Sequence, residues 1–283
     1  MYNNMNNLQI LENDEFECEN FIKEPDDGYF INDFFKNIKE KNIYNYLMQG
    51  NCLNKMQLLP EKSIDLILTD LPYGVSQNVW DEIIPFNNLW EQYERIIKDK
   101  GIIILTATQP FTSMLVMSNP KLFKYERIWE KTIGSGQLNI KKQPLRIHES
   151  ILVFYKSPGT YNEIKTVGEA YKINRKIKSK GEGYGAQADS SKENNGFRHA
   201  RSIIKISNPR IKNGHPTQKP LELMEYLIKT YSNVEDVVLD SCLGSGITGV
   251  AAKNLNRNFL GIELDKKWFN RAKDNINGNT KIY

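Results

Sequence analysis

Apolar residues recur with two alternating periods from residue 43 onward, and those periods predict strands alternating with helices. "NIYNYLM" (42–48) reads as a strand, and "QGNCLNKMQLL" (49–59) as a loop and short helix that Pro60 ends. "SIDLILTD" (63–70) is a buried strand, and 85–98 sets Leu89, Tyr93, Ile96 and Ile97 on one helical face. "GIIILTA" (101–107) predicts a strand and 110–118 a helix with proline in its first turn. "YERIWEKT" (125–132) and "ESILVFYK" (149–156) are rich in β-formers and are expected to pair. After an irregular stretch the alternation resumes: "PLELMEYLIKTYS" as helix, "DVVLD" as strand, "GITGVAAKNL" as helix, "NFLGIEL" as strand, "DKKWFNRAKDNI" as helix. Such alternation implies an α/β fold, with a mostly parallel sheet covered on both faces.

Two regions break the pattern. Residues 1–42 are Asn-rich and then acidic, with an aromatic cluster at Tyr29, Phe30, Phe34 and Phe35 expected to dock through a short helix around 31–41. Residues 157–210 read as irregular. The chain therefore divides into an acidic appendage (1–42), one half of the α/β domain (43–156), an insertion (157–212) and the other half (213–283).

Composition changes this picture in one respect. Hydrophobic residues at 40% and charged residues at 25% are ordinary for a globular protein. The net charge of +4, however, conceals ten Asp/Glu against three Lys in 1–40, and twelve Lys/Arg against five Asp/Glu in 158–214. A basic run of this kind serves as a solvated surface loop. Interleaved with Tyr161, Tyr171, Tyr184 and Phe197, it also suits a polyanion whose phosphates meet lysines and whose bases stack on rings. No apolar run is long enough to cross a bilayer, and no basic segment followed by an apolar one opens the chain, so no membrane partner and a cytoplasmic location are expected. Cys18, Cys52 and Cys242 are widely spaced without paired Cys or His, which predicts reduced thiols and no metal.

"VVLDSCLGSGITG" (237–249) ends a buried strand at Asp240 and turns through Gly244 and Gly246 into a helix. Glycines there let backbone amides approach a ligand. One strand later Glu263 supplies a carboxylate able to accept bonds from both ribose hydroxyls. Packing glycines in a tight turn would explain the Gly-x-Gly alone; with the acidic residue ending the next strand, a nucleoside-bearing ligand is favoured. Neither the dinucleotide fingerprint nor a phosphate-binding Gly-Lys-Ser/Thr is present.

"TDLPYG" (69–74) precedes "HPTQKP" (215–220), which precedes "DSCLGSG" (240–246) and "GIELD" (261–265). Over 43–277 these motifs and their order resemble the β-group of amino-directed DNA methyltransferases, most of which carry Asp-Pro-Pro-Tyr where this chain has Asp70-Leu71-Pro72-Tyr73. The resemblance implies a class I methyltransferase Rossmann-like sheet in circularly permuted motif order, with 157–212 as a basic target-recognition insertion. It implies S-adenosyl-L-methionine as cofactor, S-adenosyl-L-homocysteine as product and double-stranded DNA as partner. A homodimer and a cognate restriction enzyme stay open.

In that reading Asp70, Leu71, Pro72 and Tyr73 are the catalytic turn. The Asp70 carboxylate and the Leu71 carbonyl accept the two hydrogens of an exocyclic amino group, whose nitrogen is a poor nucleophile while its lone pair is delocalised. Tyr73 offers a face to a base extruded from the duplex. Asn51 and Cys52 match a segment near the cofactor's adenine. His215, Thr217, Gln218 and Lys219 match the motif near the methionine carboxylate, with Lys219 as the charged donor. Asp70, Asp240, Cys242, Gly244, Ser245, Gly246, Thr248, Glu263 and Leu264 complete the expected cofactor site, Cys242 as a small wall of the pocket. Arg146, His148, Lys176, Arg198, Arg201 and Arg210 are expected at the DNA, reading guanine edges or holding phosphates. An opening Asp favours adenine N6 over cytosine N4, where Ser is usual. A catalytically silent DNA-binding subunit and a protein-glutamine or RNA methylase are the competing classes.

Overall fold

The computed structural model describes residues 27–37, 44–74, 81–175, 190–208 and 218–278. In chain order the elements are α1 (Asp27–Asn37), β1 (Asn45–Gln49), α2 (Cys52–Met56), β2 (Ile64–Thr69), α3 (Phe86–Ile96), β3 (Ile97–Ala107), α4 (Phe111–Ser118), β4 (Phe123–Ser135) and β5 (Arg146–Phe154). Short strands β6 (Thr166–Val167), β7 (Tyr171–Arg175), β8 (Ser190–Asn194), β9 (Phe197–Arg198) and β10 (Ile203–Lys205) follow. Then come α5 (Leu221–Tyr231), β11 (Val237–Asp240), α6 (Ile247–Asn254), β12 (Asn258–Glu263) and α7 (Lys266–Ile276).

Eight strands form one sheet in the order β1-β12-β11-β2-β3-β5-β4-β10. Only β5 runs against its neighbours, because it returns from β4 through a hairpin. Side chains alternate across the strands. Ile67, Ile103, Leu239 and Ile262 face one apolar layer with α1 to α4, and Leu66, Ile104, Val238 and Phe259 face the other with α5 to α7. Strands buried on both faces need continuous apolar runs, and β2, β3 and β12 have them.

The chain leaves β11 through α6 toward β12 on one side, and leaves β2 through α3 toward β3 on the other. β11 and β2 are neighbours, with Leu239 beside Ile67, so the two divergent connections open a crevice at their carboxyl ends. Ligands of open α/β sheets bind at such a switch point.

Three expectations shift. The helix expected to run to 98 ends at Ile96, since Ile97 pairs with Ile64 and already belongs to β3. The irregular stretch holds two ribbons, β6 with β9 and β7 with β8, and its last part, β10, joins the main sheet with Ile204 buried. The appendage helix starts at Asp27 and buries Ile31 and Phe34 against the Tyr46 edge, Phe34 and Tyr46 lying 6.3 Å apart between ring centroids. Residues 1–26, the side chains of Tyr29 and Phe30, and Tyr184 lie outside the described residues. No described helix is long and apolar enough to cross a membrane.

Candidate active site

Asp70 follows the last residue of β2 and sits in a ring of donors. One carboxylate oxygen accepts the Tyr73 hydroxyl at 2.6 Å and the Thr106 hydroxyl, and the other accepts Lys219 Nζ at 2.6 Å. Lys219, 5% exposed, also lies 3.2 Å from Glu149, whose other oxygen takes Lys131 at 2.9 Å. Charges thus alternate along Lys131, Glu149, Lys219 and Asp70. Burial alone would depress the Lys219 ammonium, but Asp70, Tyr73 and Glu149 outweigh it and hold the group charged well above its ordinary range. Burial, reinforced by Asp70, pushes the Tyr73 phenol up, so it stays a donor.

The turn is rigid for identifiable reasons. Asp81 accepts from the Tyr73 and Gly74 amides at 2.8 and 2.9 Å. The Tyr73 ring stacks on Phe111 with centroids 5.2 Å apart. Leu71, 4% exposed, packs into the apolar layer, so the residue that departs from Asp-Pro-Pro-Tyr is used as core while its carbonyl stays in the turn. Asp81→Ala removes the acceptor of two amides, each worth about 1 kcal/mol. Turnover is expected to fall about tenfold with cofactor affinity little changed, checked by comparing steady-state rates with calorimetric binding.

The glycine loop is stitched to this turn. The Ser241 amide donates to Thr69 Oγ1 at 3.1 Å, and the Ser241 and Tyr93 hydroxyls are 2.6 Å apart. Asp240 accepts the Thr248 hydroxyl at 2.6 Å and the Cys242 amide at 3.1 Å. Glu263 accepts the Gly244 amide at 2.7 Å and the Asp265 amide at 2.8 Å, and burial raises its carboxyl. Gly246 has φ +83°, and a Cβ there would meet Ala272 at 2.8 Å. Gly244, at φ +54°, faces open space on the Cβ side instead.

Burial lifts Asp240 from its usual 3.8 to about 7. The folded state therefore holds a proton that the unfolded state releases near pH 4, and this contribution to stability is lost as pH rises toward about 7. Asp240→Asn is expected to flatten that decline, measured by denaturant unfolding at about pH 5 and about pH 8.

Other expected cofactor residues are placed as follows. The Asn51 side chain caps α2, accepting the Leu53 amide at 2.9 Å. Cys52 and Cys242 hydrogen-bond to each other, which lowers the Cys52 thiol and raises that of Cys242. The Ser245 carbonyl accepts Asn275 Nδ2 at 2.7 Å, and the Leu264 carbonyl accepts Gln49 Nε2 at 3.1 Å. Gln218 is half-buried beside Lys219, and His215 and Thr217 lie outside the described residues.

Among the residues expected at DNA, Arg146 and His148 are exposed at the start of β5, just before Glu149. Arg198 is engaged within the chain: it donates to Asn194 at 2.5 Å and to the Glu169 carbonyl, and lies over the Tyr171 ring. Arg201 is exposed, and Lys176 and Arg210 lie outside the described residues.

Sequence reasoning missed Thr106, Glu149, Lys131, Asp81 and Tyr93. The available signal was a polar residue at the end of an apolar run on the ligand-facing edge: Thr106 near the end of β3, and Glu149 ahead of the apolar part of β5.

A family described as DNA methylase, covering N6- and N4-acting enzymes, matches residues 64–274. The Type II methyltransferase M1.MboII of Moraxella bovis is 28% identical over 248 residues, covering 81% of this chain and 95% of the relative. The DNA adenine methyltransferase YhdJ of Escherichia coli K12 is 26% identical over 239 residues, covering 78% and 79%. The crystal structure of the M1.HpyAVI–SAM complex shares the fold at a TM-score of 0.51 and 24% identity, covering 90% of this chain and 98% of that one. With a catalytic-type turn and a glycine loop joined at one switch point, and a family match spanning both, the chain belongs to the N6/N4 DNA methylase family.

Proposed function

We propose that the protein transfers the methyl group of S-adenosylmethionine to the N6 amino group of adenine in duplex DNA, with the base extruded toward the Asp70–Tyr73 turn. The observation that carries this reading is the convergence of that turn and the glycine loop on adjoining strand ends, stitched by Thr69, Ser241 and Tyr93.

The site suits such a cofactor. Gly244 turns its open side outward, and Glu263 is anchored by two amides yet retains lone pairs for hydroxyls. When bound, S-adenosylmethionine supplies a methyl already activated by its sulfonium. This chain's residues supply alignment and charge. A carboxylate has about four acceptor sites. Asp70 uses three, for Tyr73, Thr106 and Lys219, which leaves one for an amino hydrogen. The Leu71 carbonyl takes the second hydrogen, while Lys219 occupies the other Asp70 oxygen. The Tyr73 ring face away from Phe111 stacks on the base. The modification is of the restriction–modification type, as the Type II relatives suggest.

Asp70 at the head of the turn and a relative named as an adenine enzyme support adenine. Cytosine N4 is the second reading, because the family includes both amino groups. Mass spectrometry of nucleosides from duplex DNA and RNA, and of amino acids from protein, each treated with the purified enzyme and labelled cofactor, tests both. N6-methyladenine in duplex DNA is expected. N4-methylcytosine would overturn the choice of base, and label in RNA or protein alone would overturn the substrate class.

A further inference from the structure

The hairpin joining β4 to β5 runs beyond the sheet edge that holds Asp70, Glu149 and Lys219. Pairing is broken by an irregularity between Glu130 and Ser135 and resumes at Ser135 opposite Arg146, so β5 extends roughly 10 Å, three residues, beyond Glu149. Asn208 braces the hairpin, accepting the Ile133 amide at 2.8 Å and donating to the Ile133 carbonyl at 2.9 Å. The loop above closes on its own backbone hydrogen bonds. It turns at Gly136, with the Asn139 amide on the Gly136 carbonyl at 2.9 Å and the Lys142 amide on the Asn139 carbonyl at 2.8 Å. On that hydrogen-bonded tip Leu138 is 100% exposed, with Ile140 61% exposed behind it. Residues 133–148 contain Lys141, Lys142 and Arg146 and no Asp or Glu.

An apolar side chain held in water by a hydrogen-bonded turn, beside the proposed site for an extruded base, calls for an apolar occupant. We infer that Leu138 is a wedge: it enters the base stack beside the target and fills the space the extruded base vacates, while Lys141, Lys142 and Arg146 meet the flanking phosphates. Architectural DNA-binding proteins unstack steps with leucines and similar residues. The inference rests on the base-extrusion reading above. A second copy of this chain is the rival occupant, but three cations without a carboxylate favour a polyanion over an equally basic surface.

The test uses the full chain and a duplex bearing the sequence that the enzyme marks on unmethylated DNA, with a fluorescent base analogue at the target. The wild type is expected to brighten the analogue. Leu138→Ala is expected to lower kcat/KM on the natural paired duplex about tenfold, by loss of buried leucine surface, with cofactor binding unchanged. Leu138→Met should retain activity. An abasic site opposite the target leaves no pair to open and should return Leu138→Ala to within about twofold of wild type. Unchanged kcat/KM in Leu138→Ala, or an equal loss on both duplexes, overturns the wedge. A wild type that never brightens the analogue overturns base extrusion and the wedge with it. Conversion of a dimer to a monomer by Leu138→Ala, with DNA kinetics intact, overturns it in favour of a protein interface.

Discussion

Asp70→Ala is expected to lower methyl transfer by about a hundredfold to a thousandfold while S-adenosylmethionine binding changes little. Asp70 stands where three donors converge from three elements: Tyr73 in its own turn, Thr106 in β3 and Lys219 just before α5. Its carboxylate is therefore aimed without reorganisation at the moment of reaction, which is where preorganised charge is most effective. The conservative Asp70→Asn should not rescue activity. An amide nitrogen placed where Oδ2 now accepts from the Lys219 ammonium would set two donors against each other. Tritiated methyl incorporation reports turnover and calorimetry reports cofactor affinity. Equal loss of both would point to a structural rather than a catalytic role.

Lys219→Met should reduce stability as well as activity. The ammonium is buried between Asp70 at 2.6 Å and Glu149 at 3.2 Å, and removing it leaves two carboxylates facing an apolar side chain. Breaking a buried pair from one side costs about 3–5 kcal/mol, or a fall in melting temperature on the order of 10 °C for a chain of this size. Adding Glu149→Gln in that background should recover part of the stability, because one of the stranded charges disappears. Thermal unfolding of the single and double variants measures this. Additive losses would show that Lys219 and Glu149 do not act together.

The legible parts of the molecule were those with local causes. β2 and β12 are buried on both faces, and continuous apolar runs announce them. Gly244 and Gly246 sit between a strand and a helix, where only a tight turn fits. The α3–β3 boundary was not legible, because Ile97 is apolar in either reading and its pairing with Ile64, far upstream, decides. β10 has three residues and one neighbour, β4, some seventy residues earlier, so nothing local marks it. Lys219 illustrates the limit within the site. Its motif announces a cation but not its anion, and in the fold the amine lies on Asp70 and Glu149 rather than waiting alone for a carboxylate. Thr106 and Glu149 enter the site through cross-strand neighbours, and cross-strand neighbours are set by the sheet order.

A crystal structure with sinefungin, in which an amine-bearing carbon replaces the methyl-bearing sulfur, would locate the reacting centre. The adenosine hydroxyls should lie on the Glu263 carboxylate, and the amine should face the Asp70–Leu71 turn. A ligand seated away from the Gly244–Gly246 loop, or one whose amine turns from Asp70 into solvent, would contradict a shared pocket at the β11–β2 switch point.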